Sequence, residues 1–468
     1  MAILNSVSDF IWNKKQSSTP LDVSNLTPQN LYERLDSYYQ NNGLYESLQA
    51  TMYYSNLYIE ALKPLRNPVN RSVEFYVSKI CPSKVNIISD NEAVKEAINQ
   101  FYKWSNFGSV IQVSKRQLSL YGDLFLKVVS TDKVYFEVIN PKYVTDFETD
   151  NRGYLTEIRI DIPVEIEEKQ YTHTEYWTKD YYSIWEHQQG ISAKLENLGT
   201  PDDFSFLAEL GIDFIPIVHI KFKDVGNKRG VGCVTHAIEK IDEANREATR
   251  LNQLLFRYNK PVFTVQANST DKDGRPIPAP KIKSNEDNIE LKENSILYLP
   301  GNSSLQSLIP NINYADALSI LNSMLDEIEK DLPELRYYSI QDSNLSGKAI
   351  KMLLAGAVDK ATEAQDNFLA GLKRLNEMAL TIGKNMGLFK NIGSYENGDF
   401  EHEIVVPAIF PTSIDETASL MKDLVAAGLS LATALRIAGF SEEEILQAVQ
   451  EKQAEGVSPV DNLLAQRL

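Results

Sequence analysis

Two stretches of this chain carry apolar residues at alternating three- and four-residue spacings, with a polar, Pro- and Gly-bearing interval between them. In residues 235–260 the apolar positions are Ala237, Ile241, Ala244, Ala248, Leu251, Leu255 and Tyr258. In residues 314–332 they are Tyr314, Leu318, Leu321, Leu325, Ile328 and Leu332. That spacing puts one apolar seam along a helix and predicts two helices that pair seam to seam. At 1.5 Å per residue each would be roughly 30–40 Å long. The interval PVFTVQANSTDKDGRPIPAPKIKSNEDNIELKENSILYLPG mixes β-branched runs with turn residues, which predicts a small β-containing unit at the far end of a helical stalk. Such an arrangement is a structural device rather than an enzyme pocket.

The rest of the chain sorts into helical and strand-rich zones. TPQNLYERLDSYYQNNG reads as a helix capped near Thr27 and stopped at Gly43. A break marked by Pro64 and Pro68 precedes an amphipathic helix carrying Val73, Phe75, Tyr76 and Ile80. KVNIISD alternates like a strand, and residues 92–121 return to helix, ending near Gly122. From there to about Phe222, the runs GDLFLKVVS, KVYFEVIN, YLTEIRIDIPVEI, YTHTEYWTK and YYSIWEHQ predict an antiparallel meander, closed by IPIVHIKFKD before the turn GNKRGVG. Pro333 should end the second seam helix at about Leu332, because proline pushes its predecessor out of the α region. ELRYYSIQDSNLSG then reads as a loop. One helix from Lys348 to about Met386 follows, with Ile350, Leu354, Val358, Ala361, Phe368, Leu372, Leu375 and Ile382 as its apolar positions. HEIVVPAIF reads as a strand, and the C-terminal zone as short helices, one opened by a capping box between Ser441 and Glu444. The tail after Gly456 reads as loose. Segregated runs of helix and strand give the fold class α+β.

Composition narrows the class. At 468 residues the chain has room for two or three domains, and 43% hydrophobic with 24% charged residues is a folded, soluble composition. The net charge of −17 excludes holding nucleic acid by bulk charge, since phosphate affinity comes from counterion release at basic clusters. Cys81 and Cys233 are far apart and without a CxxC neighbour, which favours two reduced, buried thiols over a disulfide or zinc site. The start MAILNSVSDFIWNKKQ lacks a cationic region followed by an apolar one, and no run reaches the ~18 apolar residues of a membrane span. The expectation is folding in a reducing cytoplasm, with no membrane involved.

The chemistry-bearing motifs are thin. GNKRGVG, residues 226–232, lacks the GxxxxGK[ST] spacing and reads as a tight strand-to-helix turn. Gly347-Lys348 and Gly383-Lys384 lack the other residues of a phosphate loop. The five histidines, at 173, 187, 219, 236 and 402, show no metal-ligand spacing, and no GxSxG elbow occurs. The reading is no catalytic residue, no cofactor and no metal. On the seam helices, at 100° per residue, Asp316, Ser323 and Glu327 fall opposite one seam, flanked by Lys330 and Asp331. Arg246, Arg250 and Arg257 fall opposite the other, with Glu239 and Glu243 above them. In a lone hairpin both backs are solvated faces; in a ring of hairpins one back lines the lumen and the other the outside.

The order of these elements resembles the portal proteins of tailed double-stranded DNA bacteriophages. The resemblance is carried by NPVNRSVEFYVSKICPSKVNI, SLYGDLFLKVV, VINPKYVTDFE, the run IPIVHIKFKD…GNKRGVGCVTHAIEKIDEANREATRLNQLLFRYNKPVFTV, and LSGKAIKMLLAGA, over most of residues 65–385. It implies a homo-oligomeric ring, dodecameric in assembled virions, built at one capsid vertex after assembly in the host cytoplasm. Residues 1–234 and 348–410 would be the wing, 235–260 and 314–333 the two stem helices, 261–313 the clip, 334–347 the tunnel loop, and 411–468 a short crown and tail. The resemblance implies that the second stem helix lines the channel. Asp316, Ser323, Glu327 and Lys330, with Arg336, Tyr337, Tyr338, Gln341 and Asn344 of the tunnel loop, would then face DNA. Ile241, Leu251, Leu255, Leu318, Leu325 and Ile328 would pack the stem and the oligomer. Implied partners are double-stranded DNA without sequence preference, the large terminase subunit, the major capsid protein and scaffold, and a head–tail connector or adaptor. The implied role is a non-enzymatic channel for DNA packaging and ejection. Two other readings stay open: a packaging ATPase or nuclease, and a helical adaptor protein.

Overall fold

The computed structural model describes residues 28–41, 66–166, 169–188, 190, 193–258, 263–267, 272–275, 303–307, 314–339, 347–407, 409, 423–428, 430–437, 445 and 448. The first elements among the described residues are helices α1 (Pro28–Gln40) and α2 (Val69–Ile80), then strand β1 (Asn86–Ile88). The helix expected over 92–121 is two, α3 (Glu92–Trp104) and α4 (Phe107–Tyr121). Asn106 breaks them apart by taking a left-handed conformation, φ 49°, which asparagine tolerates better than most residues. The apolar face of α2 (Val69, Val73, Phe75, Tyr76, Val77 and Ile80) is buried, as its helical spacing predicts.

The strand-rich zone holds β2 (Asp123–Ser130), β3 (Val134–Ile139), β4 (Val144–Thr149), β5 (Leu155–Ile166), β6 (Lys169–Thr178), β7 (Tyr181–His187), β8 (Asp203–Phe206) and β9 (Ile217–Lys221). It is two sheets, not the single meander expected. One has the order β3-β2-β9 and the other β4-β5-β6-β7-β8, all pairs antiparallel. The chain changes sheets at Asn140, whose side chain accepts from the Lys142 amide at 3.1 Å and opens a tight turn over Pro141–Tyr143. Strand β9 returns to the far edge of β2, pairing Leu126 with Val218 and Leu124 with Ile220. Central β2 is buried nearly throughout, which is why DLFLKVV reads as a continuous apolar run.

The remaining elements are α5 (Ile238–Tyr258), β10 (Phe263–Ala267), β11 (Ser303–Ser307), α6 (Tyr314–Asp331), α7 (Arg336–Ser339), α8 (Gly347–Leu353), α9 (Ala355–Asn385), β12 (Glu403–Val405) and α10 (Leu431–Ile437). The helix expected from 348 to 386 is interrupted: Leu354 leaves helical angles, at φ −98° and ψ 9°, and is fully buried between α8 and α9. Helix α9 packs on β9, β2, α2 and α3, burying Phe368, Leu372, Leu375 and Ala379 in one core with Phe101, Phe125 and Phe136. Strand β12 pairs antiparallel with β1, Ile404 opposite Ile87, so the chain beyond α6 completes the N-terminal body.

At the far end of α5 and α6, β10 and β11 pair antiparallel, Phe263 opposite Ser307 and Ala267 opposite Ser303. Apart from residues 272–275, the rest of the expected clip lies outside the described residues, as do the Pro64 break, Gln341 and Asn344, the Ser441 capping box and the tail after 456. Among the described residues no helix is long and apolar enough to cross a membrane.

Candidate functional site

The turn GNKRGVG binds its own body. Asp123, fully buried at the start of β2, accepts from the Gly230 amide at 2.8 Å and from the Tyr32 hydroxyl at 2.5 Å, and lies 2.7 Å from His219 Nε2. Arg229 donates to the Val144 carbonyl at 2.7 Å and the Tyr32 hydroxyl at 3.0 Å, with its guanidinium over the Phe147 ring. The Arg229 guanidinium and the Gly230 amide, groups that could hold a phosphate, are thus engaged within the fold. Three other histidines are also tied locally: His402 to Asn376 and the Phe400 carbonyl, His187 to Thr174, and His173 to Glu175. Among the described residues no three His, Cys, Asp or Glu side chains converge as a metal site.

Helices α5 and α6 pack against each other, and their seams are buried at the end nearest the body. Ala237, Ile241, Ala244 and Ala248 on or next to α5, and Leu321, Ile328 and Leu332 on or next to α6, are buried; Leu251 and Leu325 are half-buried. Leu318, expected in the seam, is 50% exposed, as is its near neighbour Ile320 at 56%. Leu318 thus holds a seam position without being buried, because a heptad pattern marks positions that favour burial without saying which copy covers them. The side chains of Leu255, Arg257 and Tyr258 lie outside the described residues.

Polar groups anchor the base of α5. Asn245, buried, accepts from the Arg66 amide at 2.8 Å and donates to the Arg66 carbonyl at 3.0 Å. Arg34 pairs with Asp242 at 2.6 Å. Lys240 joins the two helices, reaching Asp331 at 2.6 Å and Glu327 at 3.3 Å. The expected Arg face of α5 is charge-paired along its own helix, Arg250 with Glu247 at 2.9 Å and Arg246 with Glu243.

The outer face of α6 holds Asp316, Ser323, Asp326, Glu327 and Lys330, all exposed. Three carboxylates against one lysine make it an acidic strip. Glu327, with Lys330 at 3.4 Å and Lys240 at 3.3 Å, is held below the usual carboxylate range by hydrogen bonds to those two lysines.

The segment after α6 departs from the loop expected over 334–347. Pro333–Leu335 forms a tight turn, and α7 follows at once. Glu334 is fully buried and accepts from the Tyr76 hydroxyl at 3.0 Å. Tyr337 meets the Phe75 ring edge-on at 5.6 Å, with the Lys79 ammonium 5.9 Å from its centroid. The Tyr338 hydroxyl donates to the Arg71 carbonyl at 3.0 Å. Both tyrosines are thus docked on α2, and Arg336 is half-buried beside them. Lys360, on α9, donates to the Asp331 carbonyl at 2.7 Å, satisfying one of the orphan acceptors at the end of α6. Sequence reasoning missed Glu334, Lys240 and Lys360. For Glu334 the one signal was its place in LPEL, a carboxylate between two leucines at a helix stop.

The chain matches the family described as phage portal protein, SPP1 Gp6-like, over residues 29–458. No curated protein matches it. Among solved structures it is similar to a chain of the neck of a native GTA particle computed with C12 symmetry. The two are 14% identical, over 80% of this chain and 89% of that one, with a TM-score of 0.43. A chain of the neck of an empty GTA particle computed with C6 symmetry is also 14% identical, over 80% and 90%, with a TM-score of 0.45. For the virion of a native gene transfer agent particle the identity is 14%, the coverage 84% and 99%, and the TM-score 0.40.

Proposed function

This chain belongs to the phage portal protein family, SPP1 Gp6-like, structural proteins of the capsid vertex of the virion, and from that premise we propose how its parts serve as a DNA channel. Copies of the chain assemble as a closed ring in which α5 and α6 form the wall. Residues 261–313 are the clip, where the large terminase subunit docks during packaging and a head–tail connector afterwards. The body formed by residues up to 234 and from 348 to 410 is the wing that meets the major capsid protein and scaffold. The protein performs no catalysis of its own.

The observation that carries the reading is the family match across residues 29–458. The exposed acidic strip of α6 supports its orientation toward the lumen. A conduit must not grip phosphates, since each strong Lys or Arg contact adds salt-dependent affinity that slows passage. Asp316, Ser323 and Glu327 offer repulsion and hydrogen bonding there, and contacts of that kind read no bases.

The test is negative-stain imaging of the purified protein, together with an ATP hydrolysis assay on the same preparation. Rings with a central hole and no hydrolysis are expected. Monomers at every concentration would sink the channel, and turnover that follows the ring fraction would replace it with a motor.

A further inference from the structure

Residues 333–339 lie along one face of α2. Arg71, Ser72, Phe75, Tyr76 and Lys79 recur at helical spacing, and each meets the segment or borders Glu334: the Arg71 carbonyl takes Tyr338, Phe75 and Lys79 flank Tyr337, and Tyr76 donates to Glu334. The deepest of these contacts is a carboxylate with no exposed surface. We propose that this segment is a latch whose pin is the Glu334 side chain, seated against α2 when neutral and withdrawn when ionised, so that the end of α6 is held to or freed from the body.

The seat is built for a neutral group. Oε2 of Glu334 is served by the Tyr76 hydroxyl, but Oε1 is buried without a hydrogen-bond partner, and so is the neighbouring Ser72 hydroxyl. A carboxyl with no exposed surface has lost its hydration, and that loss costs the charged form far more than the neutral one. The titratable groups facing the carboxyl are Tyr76 from α2, Cys233 from the turn before α5, Tyr338 from the segment itself and Lys360 from α9. Burial raises both the Tyr76 phenol and the Cys233 thiol, so neither offers charge at neutral pH. Lys360 is the cation at hand, and its ammonium already donates to the Asp331 carbonyl. Burial pushes the Glu334 carboxyl above its usual range, while its own amide, Lys360 and the Ser72 and Tyr76 hydroxyls pull it back only in part.

The sign follows from linkage. The seated state binds the proton more tightly than the released one, so seating is full in acid and weakens as pH rises above the usual carboxylate range. The fall is up to about tenfold per pH unit until the raised value is passed. Release frees Tyr337 and Tyr338 from α2 and leaves the Lys360 contact to the Asp331 carbonyl as the remaining hydrogen bond between the end of α6 and α9 among the described residues. The latch stands on these contacts whether or not the segment meets DNA.

Hydrogen exchange of the isolated chain from pH 5 to pH 9, corrected for intrinsic rates, tests it. In the parent, protection of the amides of residues 335–338 should fall with rising pH while those of Leu126 and Val128 in β2 stay protected. In Glu334→Gln the protection should be flat across the range. Tyr76→Phe, which removes the hydroxyl on Oε2, should lower protection of the segment at every pH with β2 unchanged. A flat parent profile, a Glu334→Gln profile that falls like the parent's, or a Tyr76→Phe profile equal to the parent's would overturn the proposal.

Discussion

Gly122 and Gly232 cross at a distance that no side chain allows: a Cβ on Gly122 would sit 2.4 Å from the Gly232 nitrogen. The obstruction is backbone, so no rotamer change relieves it. Gly122 also has φ +83°, a conformation that costs an L-residue about 1–2 kcal/mol. This crossing lets the turn after β9 fold back over the start of β2, where Asp123 captures the Gly230 amide. Gly122→Ala should therefore lose about 3 kcal/mol or more, conformational strain and overpacking combined. Gly153→Ala is the control. Its φ is +80° but nothing lies within 4 Å, so it should lose only the conformational part. Thermal unfolding of both variants decides it, and equal losses would mean that the close crossing is not what requires glycine at 122.

A second prediction concerns acid. Glu175 on β6 is buried, which on its own raises a carboxyl. His173, the Lys127 ammonium at 2.5 Å and the Trp177 indole N–H at 2.9 Å outweigh that and bring it down to about 2. A depressed carboxyl stabilises the fold above its unfolded value, and that contribution is lost as pH falls from about 4.5 toward 2. The contribution at neutral pH is on the order of 3 kcal/mol. Glu175→Gln should lower the melting temperature at pH 7, and the gap to the parent should close as pH falls toward 2. A gap that stayed constant between pH 7 and pH 3 would assign the loss to packing instead.

Helices α5 and α6 separate two kinds of seam residue. Ile328 is buried within the chain, so Ile328→Ala should destabilise the folded protomer by about 2–5 kcal/mol. Leu318 is half exposed, so Leu318→Asp should change protomer stability by about 0.5 kcal/mol or less. If neighbouring copies cover it in the ring, the same change should abolish assembly. Light scattering beside thermal unfolding separates the two effects. Intact rings with Leu318→Asp would place that residue away from any subunit contact.

What the sequence made legible was what local periodicity records. Ile241 and Ile328 lie in the seam because spacing alone predicts which helical positions seek burial. Pro333 marks the end of α6 through its own stereochemistry. The split into two sheets was illegible, because the pairing of β9 with β2 is a long-range choice that alternation in either strand does not encode. Leu318 shows the same gap in another form, since an apolar position names no partner. The docking of Tyr337 and Tyr338 was missed because Tyr, Ser and Asn between two helices look equally like a solvated loop. Glu334 was missed because carboxylates are almost always exposed, and only the contacts of three separate elements bury this one.

The acidic strip of α6 gives the most direct test of the channel. Asp316 and Ser323 share its exposed face, whereas Glu327 also holds Lys240 and so steadies the α5–α6 pair. Replacing Asp316 and Ser323 with lysine, and leaving Glu327 in place, changes the face without removing that contact. The parent ring should bind linear duplex DNA weakly at low salt, because its lumen repels phosphates. The double variant adds two cations per protomer, and each phosphate they neutralise should steepen the log–log dependence of affinity on salt by ~0.9. Fluorescence anisotropy with a labelled duplex, from low to physiological salt, measures this, and imaging confirms that the rings persist. Tighter, steeply salt-dependent binding that any duplex sequence competes away is the expected outcome. Intact rings whose affinity and salt slope match the parent's would put this face of α6 away from the DNA path.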